Sequence, residues 1–216
     1  TGRTSSQHAI SNAVALDKAG VTIATLAQDY AFGRDGVKAF KESIKTAKIV
    51  HEEYLPAATT DFTAGAQRLI DKLKDIPGRK VIWIIWAGVG NPFKIADLDL
   101  KRYNIEIATG GNILPAMAAY KNFPGMEGAT YYYFGIPKNP VNEAMVAQHY
   151  KQFKTPPDFF TAGGFSAAMA VVTALKNSKG DTKAETLIKT MEGMSFDTPK
   201  GKMTFRKEDH QAMQSM

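Results

Sequence analysis

The residues of this sequence best suited to chemistry do not form a catalytic set. His8, His51, His149 and His210 fall in four different predicted elements, and no two have the spacing of paired metal ligands. Asp97 and Asp99 are two positions apart, which does not bring side chains together on a helix. Asp61 precedes a helical pattern, where a carboxylate caps backbone N–H groups. Gly164-Phe165-Ser166-Ala167-Ala168 lacks the final Gly of a G-x-S-x-G elbow and lies inside a helical pattern, not a strained strand-to-helix turn. Asp209 and His210 are adjacent and have no nucleophile with them. There is no Cys, which excludes disulfides, thiolate metal sites and thiol nucleophiles. Gly88-Val89-Gly90 begins like a dinucleotide loop, but Phe93 stands where the third Gly is needed, and no G-x-x-x-x-G-K-[ST] occurs. An enzyme has no positive support here, and neither a metal nor a cofactor is implied.

Recognition chemistry is better represented. In an open α/β sheet, ligands sit beyond the carboxyl ends of the strands. Predicted strand exits fall at residues 28–33, 87–92 and 110–115. At or beside them stand the rings of Tyr30, Phe32 and Trp86 and the amides of Asn91 and Asn112. Rings offer apolar contact, amides offer donors and acceptors, and backbone N–H groups at helix starts receive anions. The set suits a compact organic molecule with one polar end. Two of the rings also have a packing reading, Phe32 beneath its own helix and Trp86 in the core. Tyr131-Tyr132-Tyr133-Phe134 resembles a stacking platform, but alternate strand residues face opposite ways, so half of it is buried.

These residues must be held by a framework, and the apolar pattern predicts one. Helices are expected over residues 8–18, capped by Ser5 or Ser6, then over 34–45, 62–74, 93–100 and 114–120. Strands are expected over 21–26, 49–55, 81–86, 105–109 and 129–134. Residues 81–86, Val-Ile-Trp-Ile-Ile-Trp, form a continuous apolar run that predicts a central parallel strand covered on both faces. Alternating strands and helices predict a doubly wound α/β sheet. Further on, helices are expected over 142–153, 160–177 and 183–191, then two short strands around Pro199-Lys200-Gly201. The chain has 216 residues, room for one large or two small domains. Its 27 Lys+Arg and 21 Asp+Glu are scattered, so a nucleic-acid stripe is not expected. No run of about 18 apolar residues occurs, so no membrane span is expected. The opening Thr1-Gly2-Arg3 has no initiator Met and no signal-like pattern, which predicts a processed or truncated chain.

Gln28-Asp29-Tyr30-Ala31-Phe32-Gly33, followed by Pro56 and Thr60-Asp61-Phe62, resembles the type I periplasmic binding proteins of branched-chain amino acid ABC transporters. Phe123-Pro124-Gly125-Met126-Glu127-Gly128 is similar to the family's second lobe crossing. The run from Phe196 to Arg206, with Glu208-Asp209-His210-Gln211, is similar to its closing region.

The resemblance implies a two-lobed, non-enzymatic extracytoplasmic receptor. It would capture a small solute in an interlobe cleft, deliver it to an ABC permease, and be monomeric when full length. A ligand-sensing domain of the same fold, feeding a receptor or regulator, is the alternative. On this mapping residues 1–120 and 193–216 form lobe two, 121–192 form the returning part of lobe one, and the opening of lobe one is missing. Helices 142–153 and 160–177 should then lack part of their cover, with Val171, Val172 and Leu175 as indicators. In amino-acid-binding relatives lobe two presents two Tyr and a Glu that holds the ligand ammonium. The matching positions here are Phe32, Trp86 and Asn112. An ammonium buried without an anion is costly, so the substitutions imply an organic acid with an aromatic or apolar body rather than a free amino acid.

Overall fold

A computed structural model of the chain describes residues 2–87, 92–123 and 125–215. Two compact units are formed, one by Thr4–Ala129 and the other by residues 2–3 with 130–215.

In the first unit every strand pair is parallel. The strands are β1 (Val21–Gln28), β2 (Lys48–Leu55), β3 (Arg79–Ile85), β4 (Ile105–Thr109) and β5 (Glu127–Gly128), in the order β2-β1-β3-β4-β5. The run at 81–86 therefore supplies the middle strand, as expected. Its side chains divide with period two. Ile82, Ile84 and Trp86 join Ala24 and Leu26 of β1 and the apolar face of α3 (Thr63–Leu73) in one cluster. Val81, Trp83 and Ile85 join Val21, Ile23 and Ala27 in another, with α1 (Ser5–Leu16) and α2 (Ala31–Ser43). Trp83 is fully buried and stacks on Phe40 of α2, centroids 4.0 Å apart.

Local chemistry moves some boundaries. Thr4, not Ser5 or Ser6, caps α1: its Oγ1 accepts from the Gln7 N–H at 3.2 Å, and the Gln7 side chain accepts from the Thr4 N–H at 3.1 Å. This reciprocal pair satisfies two donors at once. The segment Pro92–Leu98 is a 3-10 helix, not an α-helix over 93–100. The edge strand β2 is fastened to α3 by Glu53, which is 7% exposed. Arg68 Nε donates to Glu53 Oε2 at 3.1 Å, Arg68 Nη2 contacts Oε1, and His51 lies 3.2 Å from Oε2.

The second unit contains α5 (Pro140–Phe153), α6 (Phe159–Asn177) and α7 (Ala184–Met191), with α4 (Leu114–Ala119) belonging to the first. An antiparallel sheet β6-β7-β8 (Ser195–Thr198, Gly201–Phe205, Ala212–Met213) completes it. The tail from 193 was expected to join residues 1–120. It lies instead in the unit of 130–215, because Phe196, Met203 and Ala212 bury themselves against Ala170 and Ala174 of α6. The strand expected at 129–134 does not form. Buried Asn142 captures that segment: the Tyr132 hydroxyl donates to Asn142 Oδ1 at 2.6 Å, and Asn142 Nδ2 donates to the Phe134 and Pro137 carbonyls at 3.0 Å each. A carbonyl bonded to a side chain is withdrawn from a ladder.

As expected, Val171 and Val172 are about half exposed, and Leu175 is half-buried. By length and composition α6 is apolar enough to cross a membrane. Counting consecutive apolar residues does not reveal this, because Thr161, Gly163, Gly164, Ser166 and Thr173 interrupt the run. The core helix of a larger lobe has the same composition.

The Arg68 guanidinium, with help from His51 and against the opposing effect of burial, holds the Glu53 carboxyl below the usual carboxylate range. A depressed folded-state pKa adds stability above the unfolded value, and that stability is lost as pH falls through the folded one. Glu53→Gln should therefore lower the urea midpoint at neutral pH. The gap from the parent chain should close as pH falls below about 4, read from paired denaturation curves.

Candidate functional site at the strand exits

The strand order reverses direction between β1 and β3, so their carboxyl ends flank the topological switch point where open α/β sheets hold ligands. Gln28, the last residue of β1, joins the two exits. Its Nε2 donates to the Ala87 carbonyl at 3.1 Å, and the Ala87 N–H donates to its Oε1 at 2.9 Å. Sequence reasoning missed this clamp. The available signal was one long polar side chain closing an otherwise small and apolar strand. Gly33 then lets α2 press against the strand end, since a Cβ there would lie 2.0 Å from the Gln28 carbonyl oxygen.

Tyr30 stands at the start of α2 in extended conformation and supplies no side-chain cap. The first-turn N–H groups of α2 therefore have no side-chain acceptor from that residue. The Tyr30 ring is exposed and lies 6.0 Å from the half-buried Phe32, with the planes tilted by 32°. Asp29 is engaged by Arg34, whose Nε donates to its Oδ1 at 2.7 Å, while the guanidinium covers the Tyr54 ring. Burial and the adjacent Glu52 push the Tyr54 hydroxyl up to about 12.

Trp86 is 9% exposed and meets Phe62 edge-on at 5.1 Å. Among the described residues its buried Nε1–H has no hydrogen-bond partner, an uncommon state for an indole donor. The sheet separates the two proposed rings: Trp86 packs in the α3-side cluster, and Phe32 packs against the α1- and α2-side cluster. Asn112 is buried at the β4 exit. Its backbone N–H and its Nδ2 both donate to the Ala129 carbonyl, at 3.1 and 2.9 Å. Its amide donor thus braces the loop. Asn91 lies outside the described residues.

Among the described residues no cluster of His, Asp and Glu has the make-up of a metal site. A cavity of about 420 Å³ in this unit lies beside the start of β4 rather than at the strand exits. Asp97, Asp99 and Glu106 contribute to its wall.

A family model described as periplasmic binding protein matches residues 2–216. The chain belongs to that family. A crystal structure of an ABC-type branched-chain amino acid transporter from Rhodopseudomonas palustris CGA009 is 70% identical with a TM-score of 0.89, covering 99% of this chain and 58% of that one. A solute binding protein of an ABC transporter from Rhodopseudomonas palustris BisB5, in complex with 3,4-dihydroxy benzoic acid, is 27% identical with a TM-score of 0.75, covering 98% and 59%. A further solute binding protein from R. palustris, in complex with benzoate, shares the fold at 23% identity and a TM-score of 0.80, covering 98% and 58%. The chain thus spans less than two thirds of the length of these relatives. No curated protein gave a match. Family members are binding proteins, in keeping with the lack of a catalytic set in the sequence.

Gln28→Ala removes both bonds of the clamp and leaves the Ala87 backbone groups without their partner. The substitution should cost roughly 1–3 kcal/mol, measured as a lower urea midpoint of the 216-residue chain.

Proposed function

We propose that this chain is the larger part of a non-enzymatic extracytoplasmic receptor that captures a small organic acid for an ABC permease. The observation that carries this reading is the family match over residues 2–216, supported by the 70%-identical transporter structure. On this reading Thr4–Ala129 is lobe two, and α5, α6 and α7 are the returning part of lobe one. The half-exposed Val171 and Val172 support the second assignment.

Tyr30, Phe32, Trp86, Asn91 and Asn112 are the residues proposed to meet the ligand. Two features favour an acid over a free α-amino acid. No Asp or Glu occurs in residues 110–115, and Asp29 is already paired with Arg34. An incoming ammonium would find no free carboxylate among these residues, and an unpaired buried charge is costly. The partnerless Trp86 N–H is a ready donor for an oxygen of the ligand. The relative holding 3,4-dihydroxy benzoic acid is consistent with this class. The printed name of the 70%-identical relative favours a second reading, a branched-chain amino acid.

Calorimetric titration of the complete protein with leucine, isoleucine, valine, benzoate and short aliphatic acids separates the two. An acid is expected to bind at micromolar level or tighter. Trp86→Phe, which keeps a ring but deletes the donor, should weaken it about tenfold, the weight of one hydrogen bond to a charged oxygen. Micromolar binding of a branched-chain amino acid with no response to the acids would overturn the acid assignment.

A further inference from the structure

Helix α1 buries two polar side chains that core packing does not call for. Its inward residues are His8, Ala9, Asn12, Ala13 and Leu16, with His8 and Asn12 each 5% exposed. Burying such groups costs free energy unless their polar atoms are used. Asn12 is engaged at both ends of its amide. Its Nδ2 donates to the His8 carbonyl at 2.9 Å, and its Oδ1 accepts from the fully buried Trp83 Nε1–H at 3.4 Å. The His8 ring meets the Trp83 ring edge-on, with centroids 6.2 Å apart. Both side chains of α1 are thus held in place by the middle strand of the sheet.

They are held against the exit of β4. Gly110 directly follows that strand. A Cβ on Gly110 would lie 2.5 Å from Asn12 Nδ2, 2.5 Å from Asn12 Oδ1 and 2.8 Å from His8 Nε2. Gly111 has a positive φ of 71°, but Gly110 does not have a positive φ. The missing side chain at Gly110 therefore serves close approach, not backbone freedom. Ala129 holds the rest of the loop: its N–H donates to the Thr109 carbonyl at 3.0 Å, and its carbonyl accepts from the Asn112 N–H at 3.1 Å. The backbone from Thr109 to Asn112 is fastened by Ala129 at both ends and by α1 at Gly110.

We propose that Asn12 and His8 are positioning residues for the β4 exit. They fix the Gly110 backbone and, through it, the place of Asn112 two residues on. Neither has to touch the ligand. The effect on binding rests on the strand-exit reading of the proposed function, whereas the positioning itself is a property of this chain alone.

Native-state hydrogen exchange of the 216-residue chain, read at the Asn112 N–H, tests the positioning. Asn12→Ala should speed that exchange at least about tenfold, as where loop opening breaks a contact of hydrogen-bond weight. Gly110→Ala, which keeps every polar group of α1, should speed it similarly, and it carries the test alone should Asn12→Ala not fold. In the double variant the second substitution should add less than about threefold, because the amide that the new Cβ meets is gone. A role confined to core packing would instead speed the Leu26 N–H in buried β1, which needs global opening, and leave Asn112 unchanged. That result would overturn the proposal, and so would full additivity of the two substitutions. Calorimetry of the complete protein with benzoate then reads the effect on binding, where Asn12→Ala should weaken the acid about tenfold. If Trp86→Phe weakens it and Asn12→Ala does not, the strand-exit reading stands and the positioning role is wrong. If no acid binds, the acid reading falls and the exchange rates still decide the positioning.

Discussion

Burial of both faces of β3 is the constraint on which the first unit depends. Ile82 and Ile84 need apolar cover on one side of the sheet, and Val81, Trp83 and Ile85 need it on the other. One layer of helices cannot supply both. Successive crossovers therefore place α3 on one face and α1 and α2 on the other, and the strand order turns outward from β1 and β3 in both directions. The crevice at the strand exits follows from that reversal. The position of the candidate site is thus a consequence of how the core is covered.

The same constraint decided what could be read in advance. Strands β1 and β3 announced themselves as continuous apolar runs, because both of their faces are buried, and helices α2 and α3 by the 3.6-residue period of a single buried face. Features governed by single polar side chains were less legible. The reciprocal Thr4–Gln7 cap has a sequence signal, since Thr4 alone of the run Thr4 to Ser6 has a Glu or Gln three positions on, but the apolar pattern that placed the helix start does not contain it. Residues 129–134 have the composition of a strand, but Asn142 binds the Phe134 carbonyl from a helix eight positions away, which a local window does not see. The tail strands were legible as strands. Their partner was not, because Ala170 and Ala174 of α6 are small and carry little signal of what they cover.

For the site, resemblance carried positions better than orientations. Phe32 and Trp86 do stand at neighbouring strand exits, but Phe32, in the first turn of α2, packs on the α1- and α2-side cluster, whereas Trp86 continues the Ile82 and Ile84 face of β3, so each ring is committed to its own layer. Asn112, which the resemblance matched to a charged position, has its donors fastened to Ala129. The side chain with the clearest positioning role, Gln28, opens the Gln28–Gly33 motif, but no role was read for it there. It was hidden because a polar residue at the end of a buried strand looks like the beginning of a loop.

The far edge of the sheet differs from its centre. β5 contributes two residues and pairs with Ala108 and Thr109, so the outer backbone of β4 at 105–107 has no strand beside it among the described residues. Across this margin Arg79 of β3 reaches Glu106 of β4 at 2.7 Å and Glu127 of β5 at 2.6 Å. An open strand edge is a template for pairing with another copy, and charges placed along it oppose that approach. These charges are partly exposed, so salt weakens their field. On these principles whatever opposition the charges offer to edge-to-edge pairing is strongest in dilute buffer and fades as counterions accumulate.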